Sequence, residues 1–490
     1  MARTIAVVYI LLLFCGTAGA AQDPARPLPA RIETHHALTL AGGRLDYDAI
    51  AETFALKNAQ GATTAEIFTV SYLRSGVADG RSVTFAFNGG PGAAAVFLQL
   101  GALGPRILET PESGAVPSPP FRLVDNPATW LPFTDLVFVD PVGTGFSRGE
   151  GKGKDPGEPF WNVHSDLDSL ASLVRLWLTR HQRWNAPVYL IGESYGGFRA
   201  AALARTLPQE VGVTVSGLVL VSPALDLSAL DQSERDLLAA AFPLPSYAAA
   251  AMADNALPGP VDLTRIERFA LSDYLVGLAG LKGDPGPGNP FIAAVAHMAG
   301  LPPEIVARHR GRIPRHVFAR TVRRSAHEVV SLYDATVTRP ASANPRNDQA
   351  GDPILDPAAA AYTAAFEHYA ATGLGYRTEL PYRALSHEVS RHWDWQGAKE
   401  GGGFGLAMAS LQAVLLDHPA TKLMIVNGRY DLVTPYFASR WLVDQLQIPA
   451  AVRAQIRLHV YPGGHMMYMR PSSRAALSRD AAALYGTPPR

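Results

Sequence analysis

Apolar and polar positions along the chain fall into three regimes. Between about residues 36 and 72, short β-like runs such as Leu45-Asp46-Tyr47 and Ile67-Phe68-Thr69-Val70 alternate with turn signals such as Gly42-Gly43, which predicts antiparallel strands at the edge of a sheet. From residue 83 the pattern changes to runs that are apolar on both faces, at 83–87, 136–139, 188–191, 218–221, 423–426 and 456–460, each ending in a cluster of Gly, Asp, Asn, Pro or Ser. Strands of a parallel sheet covered by helices read this way. Between two of them, residues 166–181 place Leu167, Leu170, Leu173, Val174, Trp177 and Leu178 at helical spacing, which predicts an amphipathic helix packed on that sheet. Strand, helix, strand in alternation is the signature of the α/β class. The third regime, residues 231–396, interrupts the alternation with Ala-rich, helix-like sequence and a polar loop at 339–353. It predicts a largely helical inserted cap, with a separately folding second domain as the alternative. The expected division is a core in two parts, 21–230 and 397–490, with the cap between them.

The first twenty residues stand apart. Arg3 is followed by an apolar run over 5–14 and then by small residues ending in Ala18-Gly19-Ala20, the pattern of a secretory signal peptide cleaved after Ala20. The run falls short of the roughly 20 apolar residues that span a bilayer, so no membrane anchor is expected after cleavage. Export to the periplasm or the medium follows. Cys15 is the one cysteine and lies in this segment, which removes disulfides and thiol catalysis from the exported chain. Lys+Arg 43 balance Asp+Glu 43. Without a net positive charge the attraction that nucleic acid or anionic lipid binding requires is missing.

Candidate chemistry begins at Gly192-Glu193-Ser194-Tyr195-Gly196-Gly197, which leaves a β-like run and enters the helix-prone stretch 198–205. In such a turn the serine is strained, the flanking glycines make room, and the hydroxyl projects above the sheet. A serine hydroxyl is a weak nucleophile at neutral pH, so a histidine must take its proton and a carboxylate must orient that histidine. In this arrangement the chain order is serine, acid, histidine. Asn427-Gly428-Arg429-Tyr430-Asp431 and Tyr461-Pro462-Gly463-Gly464-His465 each follow a β-run and supply both in that order. The catalytic residues expected are therefore Ser194, Asp431 and His465, with Asp140 as the rival acid. The whole reads as an α/β-hydrolase fold with a mixed, mostly parallel central sheet and a largely helical inserted cap. Backbone amides of Tyr195 and of Gly90, in the loop after the run at 83–87, are the expected oxyanion donors. His35-His36 point apart on a strand and complete no metal site, His164 reads as a surface or packing residue, and Trp393 and Trp395 as anchors at the end of the cap, with a place lining the cleft as the alternative. No metal or cofactor is called for.

Five ordered blocks resemble the serine carboxypeptidase family, peptidase family S10, in an exported, bacterial-type form: Asn88-Gly89-Gly90-Pro91-Gly92, Asp140-Pro141-Val142-Gly143-Thr144-Gly145-Phe146-Ser147, the Ser194 block, the Asp431 block and Gly464-His465-Met466. The resemblance runs from about residue 80 to 470 and is poor in the cap. It implies removal of C-terminal amino acids from peptides through an acyl-enzyme, with Asn88 and Glu193 holding the substrate's terminal carboxylate. Two carboxylates in hydrogen-bond contact cannot both stay ionised, so Glu193 would carry a proton and peptide cleavage would favour acidic pH. His465 must instead be neutral, and the acid limb depends on how far the site lowers its pKa. The chain departs from the family at Ala102, where many members carry a further glutamate, at Ala86 in place of tryptophan, and at Ala93-Ala94-Ala95 in place of Cys-Ser-Ser. The first two leave an esterase or acyltransferase of the same fold as the alternative; a catalytically silent binding protein is a third.

Overall fold

The computed structural model describes residues 28–77, 80–151, 153–230, 236–254, 262–343, 350–395 and 405–486. The segment expected to direct export, with Cys15, lies outside them. In chain order the principal strands are β1 (Arg31–Leu40), β2 (Gly43–Lys57), β3 (Thr63–Arg74), β4 (Val83–Phe87), β5 (Asp135–Val139), β6 (Val188–Glu193), β7 (Val215–Val221), β8 (Lys422–Gly428) and β9 (Arg457–Tyr461). They line up as β1-β2-β3-β5-β4-β6-β7-β8-β9 in one mixed sheet, with a two-residue strand, Arg148–Gly149, added to β3. The edge formed by β1, β2 and β3 is antiparallel, as the alternating pattern there implies. From β5 to β9 every pair is parallel.

All six predicted apolar runs are strands. The last differs from expectation in its burial: β9 closes the edge of the sheet, and Leu458 and Val460 are exposed there instead of covered on both faces. The helix expected from residue 166 is α1 (Val163–Arg180), which starts three residues early because the Asn162 side chain caps it by accepting from Ser165 N. Its predicted stripe is buried, and Trp177 Nε1 donates to Ser71 Oγ (2.9 Å). The serine block opens α2 (Tyr195–Val211).

The sheet separates two hydrophobic cores. Neighbouring residues of β6 point to opposite faces, so Leu190 joins Trp177 of α1 and Phe198 of α2 on one side. Ile191 joins Tyr362 and Phe366 of α3 (Leu355–Thr372) and Leu477 of α4 (Pro471–Tyr485) on the other. Each fully buried Leu, Ile or Phe contributes roughly 1.5–3 kcal/mol. The residues inserted between β7 and β8 are mostly helical, with a short ribbon pairing Glu328–Val330 with Thr338–Pro340. Tyr247, Ile266 and Phe318 sit in the first core, Tyr362, Phe366 and Tyr382 in the second. Residues of the insertion therefore belong to the same two hydrophobic clusters as residues of the sheet.

Successive crossovers reverse direction at β4. The chain leaves β4 for β5 on one side and returns to β6 on the other. The carboxyl ends of β4 and β6 thus lie side by side, with Phe87 opposite Gly192, at the kind of switch point where open α/β sheets place their sites.

Candidate active site

Ser194 stands between the end of β6 and the start of α2 with φ 59° and ψ −125°. A non-glycine residue held there costs about 1–3 kcal/mol and persists only because its surroundings enforce it. Its amide donates to the Val221 carbonyl (2.9 Å), and its carbonyl accepts from Gly197 N (2.9 Å) and Ala224 N (3.0 Å). A Cβ on Gly192 would lie 1.8 Å from the Gly196 carbonyl oxygen, and one on Gly196 would lie 2.3 Å from that of Phe87. Those contacts are with backbone, so neither position accepts a side chain.

His465 and Asp431 come together from the loops after β9 and β8. His465 Nδ1 lies 2.8 Å from Asp431 Oδ2, both side chains being buried. Asp431 Oδ1 accepts from Val433 N (2.7 Å) and Thr434 N (3.0 Å), and the Thr434 hydroxyl donates to Oδ2 (2.7 Å). Burial opposes ionisation of Asp431, but His465 and Thr434 outweigh it and hold the carboxyl below its usual range. Burial likewise opposes a charged His465, yet Asp431, its hydrogen bond and Glu193 raise the imidazole above its ordinary pKa. The direction is opposite to the lowering considered from sequence, because the buried Asp431 partner overcomes desolvation.

The inserted segment clamps both loops. His465 N donates to the Tyr333 carbonyl (2.5 Å), Leu432 N to that of Leu332 (3.0 Å), and Ala335 N to that of Tyr430 (3.0 Å). The Tyr333 ring meets His465 edge to face at 5.2 Å. Sequence reading missed Tyr333 because nothing in an unpatterned cap marks a residue whose role is a tertiary contact. Thr434 was missed too, although the spacing Asp431-x-x-Thr434 is a local signal for a carboxylate that bonds its own backbone and hydroxyl.

Ser194, His465, Asn88, Glu193 and Gly90 line one cleft of about 120 Å³, walled by apolar side chains that include Phe97, Leu385 and Met466. Among the described residues neither the Ser194 hydroxyl nor His465 Nε2 makes a hydrogen bond; both face this space. Serine–histidine bonds are often long in free enzymes and tighten when substrate binds. Asn88 Nδ2 donates to Glu193 Oε2 (2.6 Å), and Asn88 Oδ1 accepts from Leu98 N (3.0 Å). Burial pushes the Glu193 carboxyl up to about 7 against the pull of His465, Tyr468 and Asn88.

Asp140, the rival acid, is placed elsewhere. Its Oδ1 accepts from Ala95 N (2.9 Å) and from the Tyr382 hydroxyl (3.3 Å), and burial pushes its carboxyl up to about 7. It braces the start of the segment that follows the glycine loop. Trp393 and Trp395 pack edge to face on the Tyr195 ring. His164 is exposed beside Asp168, and on β1 exposed His35 pairs with Asp48 while His36 stacks on Tyr47. Among the described residues no group of three His, Cys, Asp or Glu could hold a metal ion, and no helix is long and apolar enough to cross a membrane.

Arg199 on α2 is the largest omission. It is buried, its Nε donates to Asp166 Oδ2 (2.6 Å), and its Nη1 donates to the carbonyls of Asn88 (2.7 Å) and Gly89 (3.4 Å). Gly89 O also accepts from Ala93 N (3.1 Å). A trans peptide unit is planar, so with the Gly89 carbonyl turned toward those donors the Gly90 N–H points the opposite way. Tyr195 begins a helix, and its amide is among those left without an intrahelical acceptor. Arg199→Met should free the loop and strand Asp166 as a lone buried charge, costing roughly 3–5 kcal/mol of stability. It should also lower kcat about 10²-fold. Asp166→Asn in the same chain should restore most of the stability in urea unfolding and little of kcat.

Known proteins can be set against this geometry. Residues 61–229 match the serine carboxypeptidase family model. That stretch holds the Asn88, Asp140 and Ser194 blocks. Serine carboxypeptidase-like protein 8 of Arabidopsis thaliana is 29% identical over 147 residues, 28% of this chain and 31% of that protein. The human retinoid-inducible serine carboxypeptidase is 38% identical over 85 residues, 16% of this chain and 17% of that protein. The chain thus spans less than about a third of the length of these curated relatives. A prohormone-processing carboxypeptidase from Saccharomyces cerevisiae matches in structure with a TM-score of 0.56 at 13% identity, over 90% of this chain and 91% of that one. The chain has the α/β-hydrolase fold of that carboxypeptidase.

Proposed function

We propose that this chain is a serine carboxypeptidase that releases C-terminal amino acids from peptides, exported as a bacterial-type member of its family. Ser194 Oγ attacks the last peptide carbonyl while His465 Nε2 takes its proton, and Asp431 stabilises the imidazolium. The amides of Gly90 and Tyr195 receive the oxyanion. As the tetrahedral species collapses, His465 protonates the departing amine and the shortened peptide stays esterified to Ser194. Water, deprotonated by His465, then frees it as an acid. No metal or cofactor enters.

The observation that carries this reading is a buried, hydrogen-bonded acid beside the nucleophile: Glu193 bonded to Asn88 in the cleft of Ser194 and His465. An esterase has no need of one. Protonated, Glu193 donates to a substrate's terminal carboxylate, and Asn88 is positioned next to it. A peptide and its C-terminally amidated twin test the assignment, with products read by mass spectrometry. Single-residue loss from the free acid and at least about 10²-fold slower turnover of the amide are expected, since a charged hydrogen bond is lost. Equal turnover of both, or cleavage in mid-chain, would leave an esterase or another hydrolase.

The pH dependence has a definite sign. Glu193, held near about 7, must keep its proton, so turnover of the free-acid peptide should fall as pH rises past that value. His465, raised above its ordinary value, must lose its own, so a small neutral ester should gain rate over the same range. The peptide profile is then a bell that belongs to the interacting pair. Parallel profiles for ester and peptide would remove Glu193 from carboxylate binding.

A further inference from the structure

Glu193 has two hydrogen-bond partners among the described residues, and the second has no precedent in the reading of the sequence. The Tyr468 hydroxyl donates to Glu193 Oε2 at 2.6 Å, the same oxygen that accepts from Asn88 Nδ2 at 2.6 Å. Oε1 accepts nothing, yet it is not among the buried unpartnered atoms, and Glu193 lines the cleft. Oε1 is therefore the oxygen open to substrate. In a carboxylic acid the oxygen that accepts two donors is the carbonyl oxygen, and the proton resides on the other.

We propose that Tyr468 is a positioning residue for carboxylate recognition: by saturating Oε2 together with Asn88, it fixes the Glu193 rotamer and leaves the acid's hydroxyl on Oε1, directed at the substrate's terminal carboxylate. The inference rests on the carboxypeptidase reading.

Tyr468 itself has little freedom. It lies in the turn Met467–Met469, fully buried, and Arg474 Nη1 donates to its carbonyl (3.1 Å). Its ring is seated on Gly101, where a Cβ would lie 2.8 Å from Tyr468 Cε2. Burial and the neighbouring Glu193 keep the phenol far above its ordinary pKa, so it remains a donor throughout the working range. The other titratable groups facing Glu193 are His465 and Asp431 from the loops after β9 and β8, Tyr333 from the inserted segment and Tyr362 from α3. Of all these, Tyr468 is the one that bonds to it.

Wild type, Tyr468→Phe and Glu193→Gln are to be compared on a free-acid peptide, its amide and a neutral ester between about pH 5 and 9. Tyr468→Phe should raise KM for the free-acid peptide about tenfold more than it alters ester turnover, the loss of one hydrogen bond. It should also move the alkaline fall to higher pH, because a donor that favours the ionised carboxyl is gone. In Glu193→Gln the side chain no longer titrates, so whatever free-acid turnover remains should lose its alkaline fall. Tyr468→Phe that moves neither KM nor the limb, or that lowers peptide and ester turnover equally, overturns the proposal. If wild type itself fails to prefer the free acid over the amide, it is the carboxypeptidase reading that falls.

Discussion

Ser194→Ala is expected to lower turnover of peptides and esters alike by about 10⁴- to 10⁶-fold while KM changes little. On the proposed mechanism the nucleophile is lost outright, whereas Asn88, Glu193 and the apolar residues that line the cleft are unchanged. The residual rate over water would come from the amides of Gly90 and Tyr195 stabilising the oxyanion formed when water attacks directly. Folding should be nearly unaffected, since alanine at φ 59° carries about the same backbone strain as serine. Ser194→Gly relieves that strain and should be more stable than wild type by about 1 kcal/mol, equally inactive. Steady-state kinetics on a pre-cleared variant and thermal unfolding check both halves. An alanine variant that keeps more than about a hundredth of the wild-type rate would mean that another group is the nucleophile.

Asp431→Asn should cost about 10⁴-fold in kcat, because an amide at that position no longer compensates the imidazolium and permits the wrong tautomer of His465. The pH profile gives the change a second reading. Asp431 is what raises His465, so its loss should carry the acid limb of ester hydrolysis to lower pH. The control is Asp140→Asn. Its carboxyl bonds Ala95 N and the Tyr382 hydroxyl and makes no contact with His465, so kcat should fall less than about tenfold and the limb should stay in place. A reversed ranking of the two variants would make Asp140 the orienting acid.

How much of this was legible depended on whether the cause was local. The serine turn is specified within five residues: two glycines that cannot carry a Cβ, a strand before and a helix after. The strands at 83–87 and 188–191 were equally plain, since burial on both faces writes itself as an unbroken apolar run. The edge strand β9 carries the same kind of run with one neighbour in place of two, and sequence does not distinguish the cases. Arg199 illustrates the opposite limit. An arginine five residues into a helix reads as a solvated charge, and its burial follows from carbonyls on a loop more than a hundred positions away. Tyr333 and Tyr468 reach the site from surroundings that give a tyrosine no local signal. That Asp431 and His465 would lie on neighbouring loops was readable from chain order, whereas the sign of the His465 shift required knowing that Asp431 is buried with it.

The most direct test is the site of covalent modification. A fluorophosphonate that mimics the tetrahedral intermediate should label the wild-type chain at one position, and peptide mapping should place the adduct on Ser194, with labelling slowed by about 10³-fold or more in Asp431→Asn. An adduct on any other residue, or stoichiometric labelling that survives Ser194→Ala, would contradict the assignment of Ser194 as the nucleophile.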